Sequence, residues 1–159
     1  MGARDIIKLV VSIVACQCAG LIGSVFTTPN IPTWYATLEK PIFTPPSWLF
    51  APAWITLYLL MAIAAFLIWR RGLAHEGVKC ALIVFLVQLV LNALWSVVFF
   101  GLQSPLWGMV VILALWVAIL LTTIKFFKLS VAAGSLMLPY ILWVSFASAL
   151  NISIWLLNP

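Results

Sequence analysis

Charged positions divide this chain into long apolar blocks. No Asp, Glu, Lys, Arg or His occurs from Leu9 to Leu38, from Pro41 to Trp69, from Cys80 to Ile124 or from Leu129 to Pro159. A membrane-spanning helix needs about 20 mainly apolar residues. The first, second and fourth blocks each supply one such helix. The third has 45 residues without charge, enough for two spans, and GLQSP at 101–105 supplies turn residues between them. The pattern predicts an all-α membrane protein, a bundle of five transmembrane helices at about 6–28, 47–69, 78–101, 105–126 and 131–157. A loop at 29–46 separates the first two, and residues 1–159 form one domain.

Composition supports this reading. Hydrophobic residues make up 66% of the 159 and charged residues 7%. A soluble domain carries about 25% charged residues, so this chain has too few to cover a water-facing surface. Arg4 and Lys8 before an apolar run resemble a signal peptide. The run continues past Val25, longer than the roughly 7–15 residues of a signal core, and is read as a retained helix. With five spans, Arg4, Lys8, Arg70, Arg71, Lys79, Lys125 and Lys128 share one side, and Lys40 alone lies on the other. Basic loops stay on the cytoplasmic side. In a bacterial inner membrane the N-terminus is expected inside, with the C-terminus and the 29–46 loop outside. The positive charge forms no basic patch interleaved with aromatics, so nucleic acid is not an expected partner.

Small residues recur at four-residue spacing: Ala15, Ala19 and Gly23 in the first helix, with Cys16, Gly20 and Ser24 beside them, and Gly77 and Ala81 at the start of the third. Such faces allow close backbone approach in lipid, within the bundle or in a homodimer. The three cysteines, Cys16, Cys18 and Cys80, have no partner pair nearby and are read as packing residues, with no metal site.

Intramembrane charges mark ion and proton paths, and no span holds one in its interior, which argues against a pump. No phosphate-binding loop, dinucleotide fingerprint or Ser-His-Asp set is present, and His75 sits in the basic loop RRGLAHEGVK. The spans instead carry aromatics and amides at helical spacing: Trp54 and Tyr58; Gln88, Asn92, Trp95 and Phe99; Tyr140, Trp143, Ala147 and Asn151. Amides are costly in hydrocarbon, so Gln88 and Asn92 should face the bundle interior. Trp34, Trp48, Trp69, Trp107 and Trp155 lie near span ends and fit interfacial belts. Trp54, Asn92, Trp95 and Trp143 fit an apolar pocket with a few convergent polar groups, opening toward the outer face. The loop above it, WYATLEKPIFTPPSW, is stiffened by Pro41, Pro45 and Pro46 and suits a lid, with Trp34 and Tyr35 on its underside. Ser47 is a candidate cap for the second helix. Lys40 is placed to meet an anionic group at the rim or to pair with Glu39.

These residues also carry a resemblance. W-Y-x-x-L-x-K-P-x-F-x-P-P-x-W-x-F-x-P-x-W at 34–54, L-Y-x-x-M at 57–61, N-A-L-W-S-x-x-F-F-G at 92–101 and L-P-Y-x-x-W-x-x-F-A-x-x-L-N at 138–151 resemble the signatures of the TspO/MBR family, in order and over nearly the whole chain. This is the tryptophan-rich sensory protein, translocator protein or peripheral-type benzodiazepine receptor family. The resemblance implies a five-helix bundle, usually dimeric. It also implies binding of tetrapyrroles such as protoporphyrin IX, and of benzodiazepine or isoquinoline-carboxamide ligands. By motif it assigns ligand binding to Tyr35, Trp54, Asn92, Trp95, Trp143 and Ala147, where a bulkier side chain than Ala147 would reshape the pocket. Animal members end the fifth helix with a cholesterol motif of Tyr followed by Arg or Lys. Here ALNISIWLLNP has neither, which favours a bacterial-type member.

Three functions follow as expectations. The leading one is a membrane receptor or sensor that binds porphyrin as a ligand and needs no cofactor. The second is light- and oxygen-dependent porphyrin degradation, with Trp54 and Trp143 as the oxidisable catalytic residues. The third is transport of porphyrin or other hydrophobic small molecules through the lipid membrane.

Overall fold

A computed structural model describes residues 2–159. Its elements are α1 (Ala3–Asn30), the short α2 (Trp34–Thr37), α3 (Phe50–Arg70), α4 (Val78–Ser96), α5 (Pro105–Leu129) and α6 (Val131–Leu157). A 3-10 turn, Ser47–Leu49, leads into α3, and a π turn, Val97–Gly101, ends α4. With these turns included, five helices of 24–28 residues are long and apolar enough to cross a membrane. The five predicted spans are therefore present, with edges moved by a few residues. α2, inside the lid, and the π turn are additions that hydrophobic blocks do not reveal.

Local chemistry accounts for the boundaries. Ser104 accepts a hydrogen bond from Trp107 N–H and Pro105 stands at the first helical position, where its missing donor costs nothing. Ser130 caps α6 in the same way through Ala133 N–H. Ser47, the expected cap of the second span, makes no capping bond. Pro46 holds extended backbone at the entry, and its carbonyl accepts from Leu49 N–H at 3.0 Å. Gly77 precedes α4 at φ +82°, a left-handed value that favours glycine. Its role is conformational rather than the close packing expected from its spacing to Ala81.

The helices close into a ring in the order α1, α3, α6, α5, α4, back to α1. The small-residue face of α1 is used inside this ring. Cys16, Ala19 and Gly23 are buried, whereas Ala15, Cys18 and Cys80 face outward. An added Cβ at Gly20 would sit 2.6 Å from the Tyr58 ring, and one at Gly23 would sit 2.9 Å from Ser96 Oγ. At the end carrying the seven basic residues the interior is solid. Met61, Ile68, Val78, Ile119, Phe126 and Met137 are essentially fully buried, and Phe85 stacks on Phe126 at 5.8 Å. Lys8 Nζ donates to Trp69 O at 3.3 Å, a favourable place for a cation at the C-terminus of α3.

A directed hydrogen-bond chain crosses the middle. Tyr58 Oη donates to Asn92 Oδ1. Asn92 Nδ2 donates to Tyr140 Oη at 2.8 Å, Tyr140 Oη to Gln88 Oε1 at 2.9 Å, and Gln88 Nε2 approaches Met61 Sδ at 3.8 Å. All four polar residues are buried. The chain ties α3, α4 and α6 together and gives both amides the interior position expected of them. Asn92→Leu strands the Tyr58 donor and removes one donor from Tyr140. It should cost about 1–3 kcal/mol, the penalty for an unsatisfied buried group. The check is thermal unfolding in one detergent. Asn92→Leu should lower the midpoint, and adding Tyr58→Phe should cost less than the sum of the single changes.

Candidate functional site

Above that chain the bundle is hollow. A cavity of about 440 Å³ lies between α1, α3, α4 and α6, beneath α2. Its walls follow helical spacing. α3 contributes Phe50, Ala51, Trp54 and Tyr58, and α6 contributes Trp143, Ala147, Leu150 and Asn151. On α4 the wall is Trp95, Ser96, Phe99 and Phe100. The π turn lets Val98, Phe99 and Phe100 all be buried in succession, because its wider winding turns adjacent side chains inward. α1 supplies the thin wall: Gly20 and Gly23 line the cavity and let the Tyr58 ring and Ser96 Oγ pack directly against the α1 backbone, where a Cβ would clash.

The aromatic rings touch edge to face. Trp54 lies 6.5 Å from Trp143 at 85° and 5.6 Å from Tyr58. Trp143 meets Phe50 at 6.4 Å and 77°, and Trp95 stacks on Phe99 at 5.3 Å. Several polar atoms around the cavity are already engaged. Trp95 Nε1 donates to Asn151 Oδ1 at 3.1 Å, and Asn151 Nδ2 donates to Pro105 O at 2.8 Å. Thr27 and Ser24 hydroxyls return to carbonyls of their own helix. Tyr35 stands apart by its burial. It is only 5% exposed, and among the described residues its hydroxyl is the one buried side-chain polar atom without a partner. Burial pushes this phenol up to about 12, so it stays protonated at neutral pH and able to donate.

The lid is fastened over the cavity. Trp34 packs edge-on against Phe99 and Phe100, at 5.5 and 6.4 Å, and so forms part of the lid's underside rather than an interfacial belt. Asn158, just past α6, clamps Glu39 from both sides. Glu39 N–H donates to Asn158 Oδ1 at 3.0 Å, and Asn158 Nδ2 donates to Glu39 O at 2.9 Å. Lys40 turns back on the lid instead of pairing with Glu39. Its ammonium donates to Leu38 O at 2.9 Å and lies 4.9 Å from the centre of the Tyr35 ring.

Of the six positions singled out for ligand binding, Tyr35, Trp54, Trp95, Trp143 and Ala147 line the cavity. Asn92 does not. It lies one layer below, behind Tyr58, with its amide committed to the two tyrosines. Sequence reasoning overlooked the α1 wall. Its signal was the pairing of Gly20 and Gly23 with polar Gln17, Ser24 and Thr28 on a helix otherwise free to be apolar.

Comparison with known proteins agrees with this architecture. Residues 12–156 match the TspO/MBR family. The chain is 50% identical to the tryptophan-rich protein TspO of Archaeoglobus fulgidus over 97% of its own length and 99% of that protein's. It is 35% identical to the tryptophan-rich sensory protein of Cereibacter sphaeroides, over 91% and 87% of the two chains. It is also 35% identical to the human translocator protein, over 86% and 81%. Five apolar helices in a ring, a tryptophan-walled cavity and these alignments lead to one conclusion: this chain is a multi-pass integral membrane protein and belongs to the TspO/MBR family.

Proposed function

We propose that the cavity is a receptor site for flat, largely apolar aromatic molecules, with tetrapyrroles such as protoporphyrin IX as the leading class and benzodiazepine or isoquinoline-carboxamide compounds as synthetic alternatives. The observation that carries this reading is the unpartnered Tyr35 hydroxyl over a mainly apolar, indole-walled space. A buried donor without an acceptor is unfavourable unless something supplies one. The cavity volume lies in the range of small-molecule sites. The indole faces of Trp54 and Trp143 offer stacking surface, and each aromatic contact adds about 0.5–1.5 kcal/mol beyond area burial. Trp95 would contribute its ring alone, because its N–H is spent on Asn151. Ala147 keeps the α6 wall low between Trp143 and Asn151.

Degradation and transport use the same cavity but make different demands. Trp54, Trp143 and Tyr58 form a contiguous set of oxidisable rings, which supports degradation as the second reading. Among the described residues no charged group lines the cavity, which gives driven transport less support than binding.

The test is quenching of tryptophan fluorescence by protoporphyrin IX in the dark, followed by absorbance under illumination in air. Saturable quenching is expected. Trp143→Ala should weaken it by about 2 kcal/mol, roughly thirtyfold. No saturable quenching, or unchanged affinity in Trp143→Ala, would remove the receptor reading. Light-dependent bleaching that disappears in Trp54→Phe/Trp143→Phe would make degradation the better one.

Tyr35→Phe should separate binding from folding. The hydroxyl has no partner in the free protein, so its loss should leave the melting temperature unchanged or raised. The same change should weaken a ligand that accepts its hydrogen bond by about 1 kcal/mol. A lowered melting temperature with unchanged affinity would show that the hydroxyl serves the fold.

A further inference from the structure

The cavity is closed above and below but not at one side. Below lies the Tyr58–Asn92–Tyr140–Gln88 chain. Above lies the lid, held by the two Glu39–Asn158 hydrogen bonds and tied at its base by Gln103 Nε2 donating to Asn30 Oδ1 at 3.1 Å. Between α1 and α3, however, the lining residues are also outer-surface residues. Leu21 is 65% exposed and Ile55 60% exposed, and Ser24, Thr28 and Ala51 are exposed too. All of them belong to helices long and apolar enough to cross a membrane, which places this side of the cleft toward the bilayer.

The α1 edge of this cleft has an unexpected composition. Gln17, Leu21, Ser24 and Thr28 follow spacings of four, three and four and share one face, and three of the four are polar. A polar side chain facing lipid is costly unless it has work to do. Gln17 Nε2 reaches only to Ile55 O across the cleft, at a long 3.5 Å. That carbonyl lies within α3, and among the described residues no donor meets Gln17 Oε1. The polar stripe leads from mid-span to the cavity mouth.

We infer that ligands of this site enter and leave sideways, from the bilayer leaflet on the lid side, through the cleft between α1 and α3 while the lid stays shut. The inference rests on the receptor reading above and adds a requirement on the ligand. It must partition into the membrane first and pass with its flat apolar body between Leu21 and Ile55. Gln17 and Thr28 offer hydrogen bonds to polar substituents that would otherwise be stripped of water during passage, and Ser24, whose proton is spent on Leu21 O, offers an acceptor alone. A water-soluble anion that cannot enter the leaflet is excluded by the route, whatever its fit to the cavity.

The experiment is stopped-flow binding of protoporphyrin IX to the full chain in lipid nanodiscs, read by tryptophan quenching. Two locks are compared in a Cys18→Ser/Cys80→Ser background. One is a disulfide through Glu39→Cys and Asn158→Cys, which holds the lid. The other is a short bismaleimide bridge through Ser24→Cys and Ala51→Cys, which blocks the cleft. The cleft bridge should slow association and dissociation together by about tenfold or more, and the lid disulfide should leave both rates within about twofold. Slowing by the lid lock that equals or exceeds that of the cleft bridge overturns the route. If the bridge alters affinity, Ala51→Leu with Ser24→Leu narrows the cleft without a covalent tie. Unchanged rates in that variant also overturn the route. Saturable quenching of the unlocked protein keeps the receptor reading standing in either case, and its absence removes both.

Discussion

The buried hydrogen-bond chain from Tyr58 through Asn92 and Tyr140 to Gln88 is the constraint on which the rest of the bundle depends. In lipid, helices gain little from hiding apolar surface, since the tails outside are as apolar as the interior. Register must come from close packing and from polar groups that have nowhere else to go. Each donor in this chain meets the next acceptor, so a rotation of α3, α4 or α6 by one residue breaks more than one bond. The chain fixes which faces of three helices look inward. It therefore also fixes that Trp54, Trp95 and Trp143, one or two turns further toward the lid, converge.

The same chain separates two kinds of interior. On its basic side, Met61, Phe126 and Met137 are fully buried among their neighbours. On its lid side, large rings meet edge to face and prop each other apart. Gly20 and Gly23 let Tyr58 and Ser96 sit against the α1 backbone, and Ala147 puts only a methyl group into the α6 wall. Rigid rings facing small residues make a durable void, because the rings have few rotamers by which to collapse into it.

Much of this was legible in the sequence. The charge-free blocks fix five spans because a membrane tolerates little else. Gln88, Asn92 and the aromatics at spacings of three and four point to shared inward faces. What spacing cannot say is how far along the axis a residue's reach ends. Asn92 was grouped with Trp95 as a pocket residue, yet Tyr58, held tightly against Gly20, comes between its amide and the cavity. The π turn was equally hidden, since its effect on Phe99 and Phe100 depends on backbone winding rather than on residue type. Lys40 illustrates a third limit. Its options were an outside anion or Glu39, whereas the folded lid offered nearer carbonyls and the Tyr35 ring.

These features bear on why the loop is stiff, aromatic and nearly uncharged. A lid that opened to water at each binding event would need polar residues to solvate its open state and a hinge to move on. This one has the reverse. Three prolines fix its path, Asn158 binds its backbone in both directions, and its underside rings are packed into the Phe99–Phe100 cluster. Opening it would break two hydrogen bonds and expose Trp34 and Tyr35 together. Parting the lid-side ends of α1 and α3 breaks one hydrogen bond, the long Gln17 contact, and exposes apolar surface to lipid rather than to water, at smaller cost. The energetic asymmetry between the two doors follows from their solvents, and it makes the bilayer the natural reservoir for whatever this cavity holds.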